Sequence, residues 1–373
     1  MLTSPFIFDG PLPPEDVIGR EDELATIRDR AAHGRFVLLH APRRYGKTSL
    51  VNLLAHRARV DRDLALVTVD LEGVLTIDDI ARRFEHAYRT LPRTGFARAL
   101  RTALSALSVA GVMVSRGGVS LTPRSATEAA PLLEGLLALP YEAAGKVGTR
   151  VLVVLDEFQA IAPIANADAV LRSQIQHQHQ RDRVSYLFSG SEQSLLQAIF
   201  ADRARPLYGQ AEQVALGPLS ATVAAQMVAA KFAETDRDPG VALTSLVVTA
   251  DGHPQRLGFL ADALWQVTGE GEAADGSTWV AALEGALRRA NAEFLAVEAG
   301  LAMTQRKVAL LLALGEPPTG AAAARMGLSK GSARGALQAL AGKGHAHDRD
   351  GTVVLVDPLY AAWLRNRFGP PTP

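Results

Sequence analysis

Two separated strings in this chain have the residue types and the spacing for work on a polyphosphate. The first is His40-Ala41-Pro42-Arg43-Arg44-Tyr45-Gly46-Lys47-Thr48-Ser49. It fits the pattern G-x-x-x-x-G-K-[ST] except at its first position, where Ala41 stands for glycine. A loop of this kind, between a strand and a helix, turns backbone N–H groups toward phosphate oxygens and adds the positive end of the new helix. Lys47 would reach the β- and γ-phosphates, and Thr48 would place its hydroxyl on Mg²⁺. The second string is Val151-Leu152-Val153-Val154-Leu155-Asp156-Glu157, an apolar strand ending in two carboxylates. Asp156 there would hold the magnesium, directly or through water, and Glu157 would polarise an attacking water. The same acidic pair would also suit a helix N-terminus.

Two further segments offer side chains to the same chemistry. Phe188-Ser189-Gly190-Ser191 ends another apolar strand, so Ser189 or Ser191 would orient water or touch the γ-phosphate, unless the segment is a simple turn. Arg203 and Arg205 could offset transition-state charge on ATP held by a neighbouring subunit, or form a solvated basic turn. The chain contains no cysteine, which excludes disulfides, thiolate catalysis and Cys-ligated metals. In Gln176-His177-Gln178-His179-Gln180 no acidic partner stands at ligand spacing, so a polar helix face is the reading there.

The elements that must position these residues follow from patterning. Phe36–His40, Leu64–Asp70, Val151–Leu155 and Val184–Ser189 are short apolar runs separated by helical material near 47–54, 77–89, 96–109 and 127–139. Such alternation predicts a parallel sheet covered on both faces. Gly117-Gly118, flanked by alternating apolar residues, predicts a hairpin insertion near 110–121. After Pro218 the chain becomes Ala-rich and strand-poor, and from Thr304 short helices precede a pair of strands around Asp350-Gly351. The expected division is 1–217 for an ATPase core with an N-terminal arm, 218–300 for a helical lid and 301–368 for a winged helix. Thr319 and Ser329 are expected to cap the two helices around the turn Gly327-Leu328-Ser329, and 332–341 would be the recognition helix. Lys330, Arg334, Gln338 and Lys343 would then meet double-stranded DNA, although winged helices equally serve protein contact or docking.

Bulk composition adds little constraint. The 373 residues are 48% hydrophobic and 21% charged, with 39 basic and 39 acidic side chains. That is an ordinary globular balance with no global attraction to nucleic acid. The N-terminus lacks a basic-then-apolar leader, and the apolar runs are too short to span a membrane, so a cytoplasmic protein is expected.

Taken in order, Gly19-Arg20-Glu21-Asp22-Glu23-Leu24, Pro42 to Leu50, Leu155-Asp156-Glu157-Phe158-Gln159, Arg205-Pro206-Leu207-Tyr208-Gly209 and Gly252-His253-Pro254 resemble the archaeal and bacterial ATPases of the AAA+/STAND P-loop class. The resemblance runs over roughly residues 15 to 368. It implies an α/β P-loop NTPase core with helical lid and C-terminal winged helix, binding ATP and Mg²⁺ and working as a slow switch. It also implies that Gly19 and Arg20 line the adenine and ribose side, and that His253 and Pro254 sense nucleotide from the lid. Arg256 would be a second arginine sensor, at a position often apolar or aromatic in that class. A DNA-binding regulator gated by nucleotide, a scaffold that recruits a protein partner with little turnover, and self-association all remain open on this reading.

Overall fold

The computed structural model describes residues 3–61, 64–109, 126–177, 183–190, 195–196, 199–200, 202–203, 207–349 and 351–369. The hairpin expected near 110–121 lies outside them. The chain forms two compact units, one of Pro13–Ala41 and Lys47–Leu216, the other of Met1–Leu12, Pro42–Gly46 and Gly217–Pro373.

The first unit is built on a five-stranded sheet of β1 (Phe36–His40), β2 (Leu64–Asp70), β3 (Arg150–Asp156), β4 (Val184–Gly190) and β5 (Ala211–Ala215), in the order β2-β3-β4-β1-β5. Every pairing is parallel. β3 and β4 are buried almost throughout because helices must cover both faces of a parallel sheet. Helices α1 (Glu21–Ala32), α2 (Lys47–Asp61), α3 (Ile77–Thr90), α4 (Gly95–Val109), α5 (Ala126–Val147) and α6 (Ala167–His177) do so. α3 begins where its Thr76 cap and Asp79 satisfy each other's backbone N–H groups, a reciprocal box that stops the chain from continuing as strand. β5 was not anticipated; AEQVA has only Val214 buried, so its apolar period is too weak to announce a strand.

Register decides what the sheet presents. Asp70 pairs with Asp156, and His40 pairs with Gly190, so these residues stand level at the carboxyl edge, where open α/β sheets collect ligands.

The second unit holds α7 (Ala221–Ala233), α8 (Ala242–Ala250), α9 (Pro254–Val267), α10 (Gly276–Ala299), α11 (Met303–Ala313), α12 (Ala321–Arg325), α13 (Lys330–Gly342), the antiparallel pair β6 (Ala346–Arg349) and β7 (Thr352–Leu355), and α14 (Pro358–Phe368). The small hairpin after α13 makes this a winged helix, and its apolar residues share one core with α7–α10. Ser329 caps α13 as expected, its Oγ accepting from Ser332 N at 3.2 Å. Thr319 does not cap α12; that place is taken by Gly320 at φ 83°, a conformation that suits glycine and strains threonine. The N-terminal arm packs here, with Phe6 against Phe232 and Phe8 edge-on to Phe259, and not with the sheet to which the sequence division assigned it.

A buried charge ties the α9–α10 region to the winged helix. Arg256, with 2% of its side chain exposed, donates from Nε and Nη2 to Asp357 and from Nη2 to Glu293 at 3.1 Å. Asp357 also accepts from the N–H groups of Leu359 and Tyr360, so one carboxylate both caps α14 and neutralises a buried guanidinium. Burial alone would raise the Asp357 carboxyl, and the Arg256 hydrogen bonds and charge outweigh it and hold it below the ordinary range. Among the described residues no helix is long and apolar enough to cross a membrane.

Removing one partner of such a pair strands the other, which costs about 3 kcal/mol. Asp357→Ala is therefore expected to lose roughly that much in urea unfolding, and Asp357→Asn, which keeps the cap, to lose less. Equal losses would mean that the cap contributes nothing.

Candidate functional site

In the sheet unit, β1 ends at His40 and α2 begins at Lys47. The Lys47 side chain is buried and its Nζ donates to Ala41 O at 3.3 Å. Ala41 is itself buried and has no positive φ, so alanine in place of the expected glycine carries no backbone strain. Thr48 is exposed at the start of α2, and Ser49 is buried.

Asp156 and Glu157 follow β3. Burial pushes the Asp156 carboxyl above its ordinary value; the Ser189 hydroxyl, the Glu157 N–H and the Lys47 charge pull it back. Glu157 N donates to Asp156 Oδ1 at 3.1 Å. Ser189 is fully buried and close enough to Asp156 to favour its ionised form, although its Oγ lacks regular hydrogen-bond geometry. His40 is held below the usual imidazole value, first by burial and then by the Lys47 charge. The structure thus brings Lys47, Asp156, Glu157 and Ser189 to one edge of one sheet. A hydroxyl, a carboxylate and a buried ammonium form the donor set a hard cation with phosphate needs.

Glu157 adopts φ 49°, ψ 42°, a left-handed conformation that a glutamate rarely takes and that the surrounding structure must enforce. Phe158 is wedged beside Phe188 and Phe200, with ring centroids at 4.7 and 5.8 Å, and this fixes the turn that follows β3. Gln159, buried on the same turn, donates from Nε2 to Glu157 Oε2. The sequence contains Gln159 in plain view, but its spacing from Glu157 matches no catalytic pattern.

In the second unit the loop Pro42–Gly46 packs against residues far along the chain. Arg44 takes φ 66°, and its Nη1 meets Glu293 Oε1 of α10 at 2.6 Å. Tyr45 is buried, edge-on to His253 at 4.9 Å and to His347 of β6 at 6.4 Å. Arg349, which interacts with Tyr45, is held by Asp251 at 2.8 Å. His253 begins α9, its Nδ1 accepting from Arg256 N at 3.3 Å, and Pro254 occupies the first helical position. The preceding Gly252 is required: at φ 68° an added Cβ would lie 2.5 Å from Leu219 O. Arg43 is exposed.

The remaining sequence-derived candidates divide. Gly19 has φ 62°, and the Arg20 guanidinium is buried and paired with Glu23 at 3.0 Å. Arg203 is exposed, while Arg205 and Ser191 lie outside the described residues. On α13, Lys330, Arg334 and Gln338 are exposed on a helix without an acidic residue. Lys343 departs from expectation: its Nζ is spent on Gly300 O at 2.7 Å and Gln305 Oε1 at 3.3 Å, because it lies past the end of α13 and turns back to α11. Glu293 and Asp357 were not anticipated, since nothing local to either residue signals a partner 249 or 101 positions away.

No protein-family model matches the sequence, and no curated protein matches it. Among solved structures, the Walker-type ATPase PABY2304 of Pyrococcus abyssi superposes with a TM-score of 0.68 at 18% identity, covering 96% of this chain and 99% of that one. The Aeropyrum pernix ORC2 protein in its ADPNP–ADP complexes gives a TM-score of 0.57 at 15% identity, with 96% of each chain covered. At these identities the likeness is one of fold alone: a parallel sheet core flanked by helices, as in P-loop NTPases, with a small C-terminal winged-helix region.

His253 supplies a pH test of the second unit. Burial lowers its pKa from 6.5 to about 4, so the unfolded chain takes up a proton that the folded one refuses. The stability this contributes is whole above pH 6.5 and declines as pH falls toward 4, by up to about 3 kcal/mol. Urea unfolding between pH 7 and pH 4.5 is expected to show a steeper acid loss for the wild type than for His253→Asn, which keeps a capping side chain. Equal slopes would place the histidine in water.

Proposed function

We propose that this chain is a nucleotide-gated switch, of the STAND type within the AAA+ clade, whose output is duplex DNA binding by the winged helix. The observation that carries this reading is the packing of the phosphate loop. Arg44 and Tyr45, at the centre of the motif, are held by Glu293, His253, His347 and Arg349, which belong to the lid helices and to the wing. A polyphosphate cradled by this loop would compete for the Arg44 charge and shift the loop backbone. Either change is felt directly where the wing is anchored, so nucleotide affinity and wing position are thermodynamically linked.

On this reading Lys47 binds the β- and γ-phosphates, and Ala41, Pro42, Arg43, Arg44, Tyr45, Gly46 and Ser49 are the further residues assigned to phosphate. Thr48 and Asp156 would hold Mg²⁺, which supplies charge neutralisation between the phosphates. The raised Asp156 carboxyl ionises fully once a cation faces it. Glu157 accepts the proton of the attacking water, Ser189 supports Asp156, and Arg205 serves ATP in a neighbouring copy. Gly19 and Arg20 border the base, and His253 with Pro254 transmits occupancy to α9. The same fold in Aeropyrum ORC2 is recorded with ADPNP and ADP, which supports a nucleotide ligand here. DNA is favoured as the output because Lys330, Arg334 and Gln338 form an exposed cationic face with Gly331 and Gly335 between them, and that face makes no ion pair among the described residues. Lys343 would add to it only after leaving Gly300 and Gln305.

Lys47→Ala is expected to weaken ATP binding by about a hundredfold, as befits loss of a charge-assisted phosphate contact. Unchanged affinity in calorimetry would remove nucleotide from the proposal. Duplex DNA anisotropy at about 150 mM salt, without nucleotide, with ADP and with a non-hydrolysable ATP analogue, tests the output. Affinity that differs between nucleotide states in the wild type, and no longer differs in Tyr45→Ala, is the expected result. Absence of DNA binding in every state would make the wing a protein-docking module instead.

A further inference from the structure

The turn after β3 contains an arrangement that the nucleotide reading does not use. Gln159 is 7% exposed, and its amide sits between two features of the carboxyl edge. On one side Nε2 donates to the Glu157 carboxylate. On the other, Oε1 lies against the Cα of Gly190, the last residue of β4, so closely that a Cβ built there would stand 1.9 Å away. Oε1 has no hydrogen-bond partner among the described residues. The orientation of the amide follows from its neighbour: turned over, it would oppose an acceptor oxygen to a carboxylate. Phe158, packed against Phe188 and Phe200, prevents the turn from sliding, and Gly190 leaves the amide nowhere to retreat.

From this geometry we infer that Gln159 is the positioning residue of the general base: it holds the Glu157 carboxylate in one orientation while Gly190 holds Gln159. The inference rests on the reading of Glu157 as the base in ATP hydrolysis. In that reaction the water oxygen bonds to the γ-phosphorus as the bond to the β–γ bridging oxygen breaks. ADP leaves with that electron pair, and Glu157 takes the proton of the water. A carboxylate on a left-handed residue has no regular helix or strand to orient it, so a buried donor at a fixed place supplies the orientation. The requirement also accounts for glycine at 190, whose own φ is not positive and whose smallness is needed first for the amide.

The test is steady-state ATPase kinetics of the full chain with thermal midpoints recorded for every variant. Gln159→Leu is expected to lower kcat by about tenfold with KM changed less than about twofold, because the residue acts through the base and not on bound nucleotide. In a Glu157→Gln background, Gln159→Leu is expected to add nothing, whereas a merely structural role would still reduce the residual rate. Gly190→Ala must push the amide aside and is expected to copy Gln159→Leu. In a Gln159→Ala background, Gly190→Ala is expected to be silent, since the nearest atom its methyl then meets is the flexible tip of Leu196 at 2.9 Å. That last pair keeps the inference testable even where Gln159→Leu folds poorly. An unchanged or raised kcat in Gln159→Leu, with Glu157→Gln still inactive, overturns the inference alone. A rate that does not depend on Glu157 overturns the base assignment and this inference with it.

Discussion

The five residues Pro42–Gly46 are subject to two demands that pull on the same atoms. On the proposed reading their backbone stays open for phosphate, while the Tyr45 ring and the Arg44 guanidinium are committed to a helical body hundreds of residues away in sequence. A loop bound only by the first demand would need nothing more than glycine and a helix start. The second demand explains why Arg44 accepts a left-handed φ that favours glycine: its ion pair with Glu293 and the burial of Tyr45 offset a strain of about 1 kcal/mol. The loop is therefore a packing element of the second unit in its own right.

The same economy appears around Arg256. Its guanidinium is too buried to be tolerated alone, and Asp357 and Glu293 supply the countercharge. Glu293 also receives Arg44, so the loop Pro42–Gly46 and the winged-helix anchor Asp357 are joined through Glu293 and Arg256. A ligand that draws Arg44 away leaves Glu293 to Arg256, which changes the electrostatic balance at the start of α14. For the proposed switch this would be a physical route of coupling that needs no rearrangement of the hydrophobic core.

In the sheet unit, order is set by parallel register instead. Pairing Asp70 with Asp156 and His40 with Gly190 aligns the ends of four strands, and that alignment brings both Asp156 and Glu157 to one short turn after β3, where the proposed reading gives them the metal and the water. Aromatic packing of Phe158 anchors this turn as the ion pairs anchor the loop in the other unit, next to a glutamate in a conformation that such a residue rarely takes.

Much of this was legible in the chain itself, and for a local reason. The apolar runs of β1 to β4, the Gly46-Lys47-Thr48 start of α2 and the acidic end of β3 are signals carried within a few neighbouring residues, and strand burial and helix initiation respond to such windows. The Ser329 cap and the wing around Gly351 were readable on the same ground. What the tertiary structure alone decided are the long-range partners: Glu293 for Arg44, Asp357 for Arg256, Gly300 for Lys343, and Gly190 for Gln159. Each depends on which surfaces meet after burial has been optimised over the whole core. β5 failed to show for the related reason that an edge strand with one buried side chain is specified by its neighbour β1 and not by its own sequence.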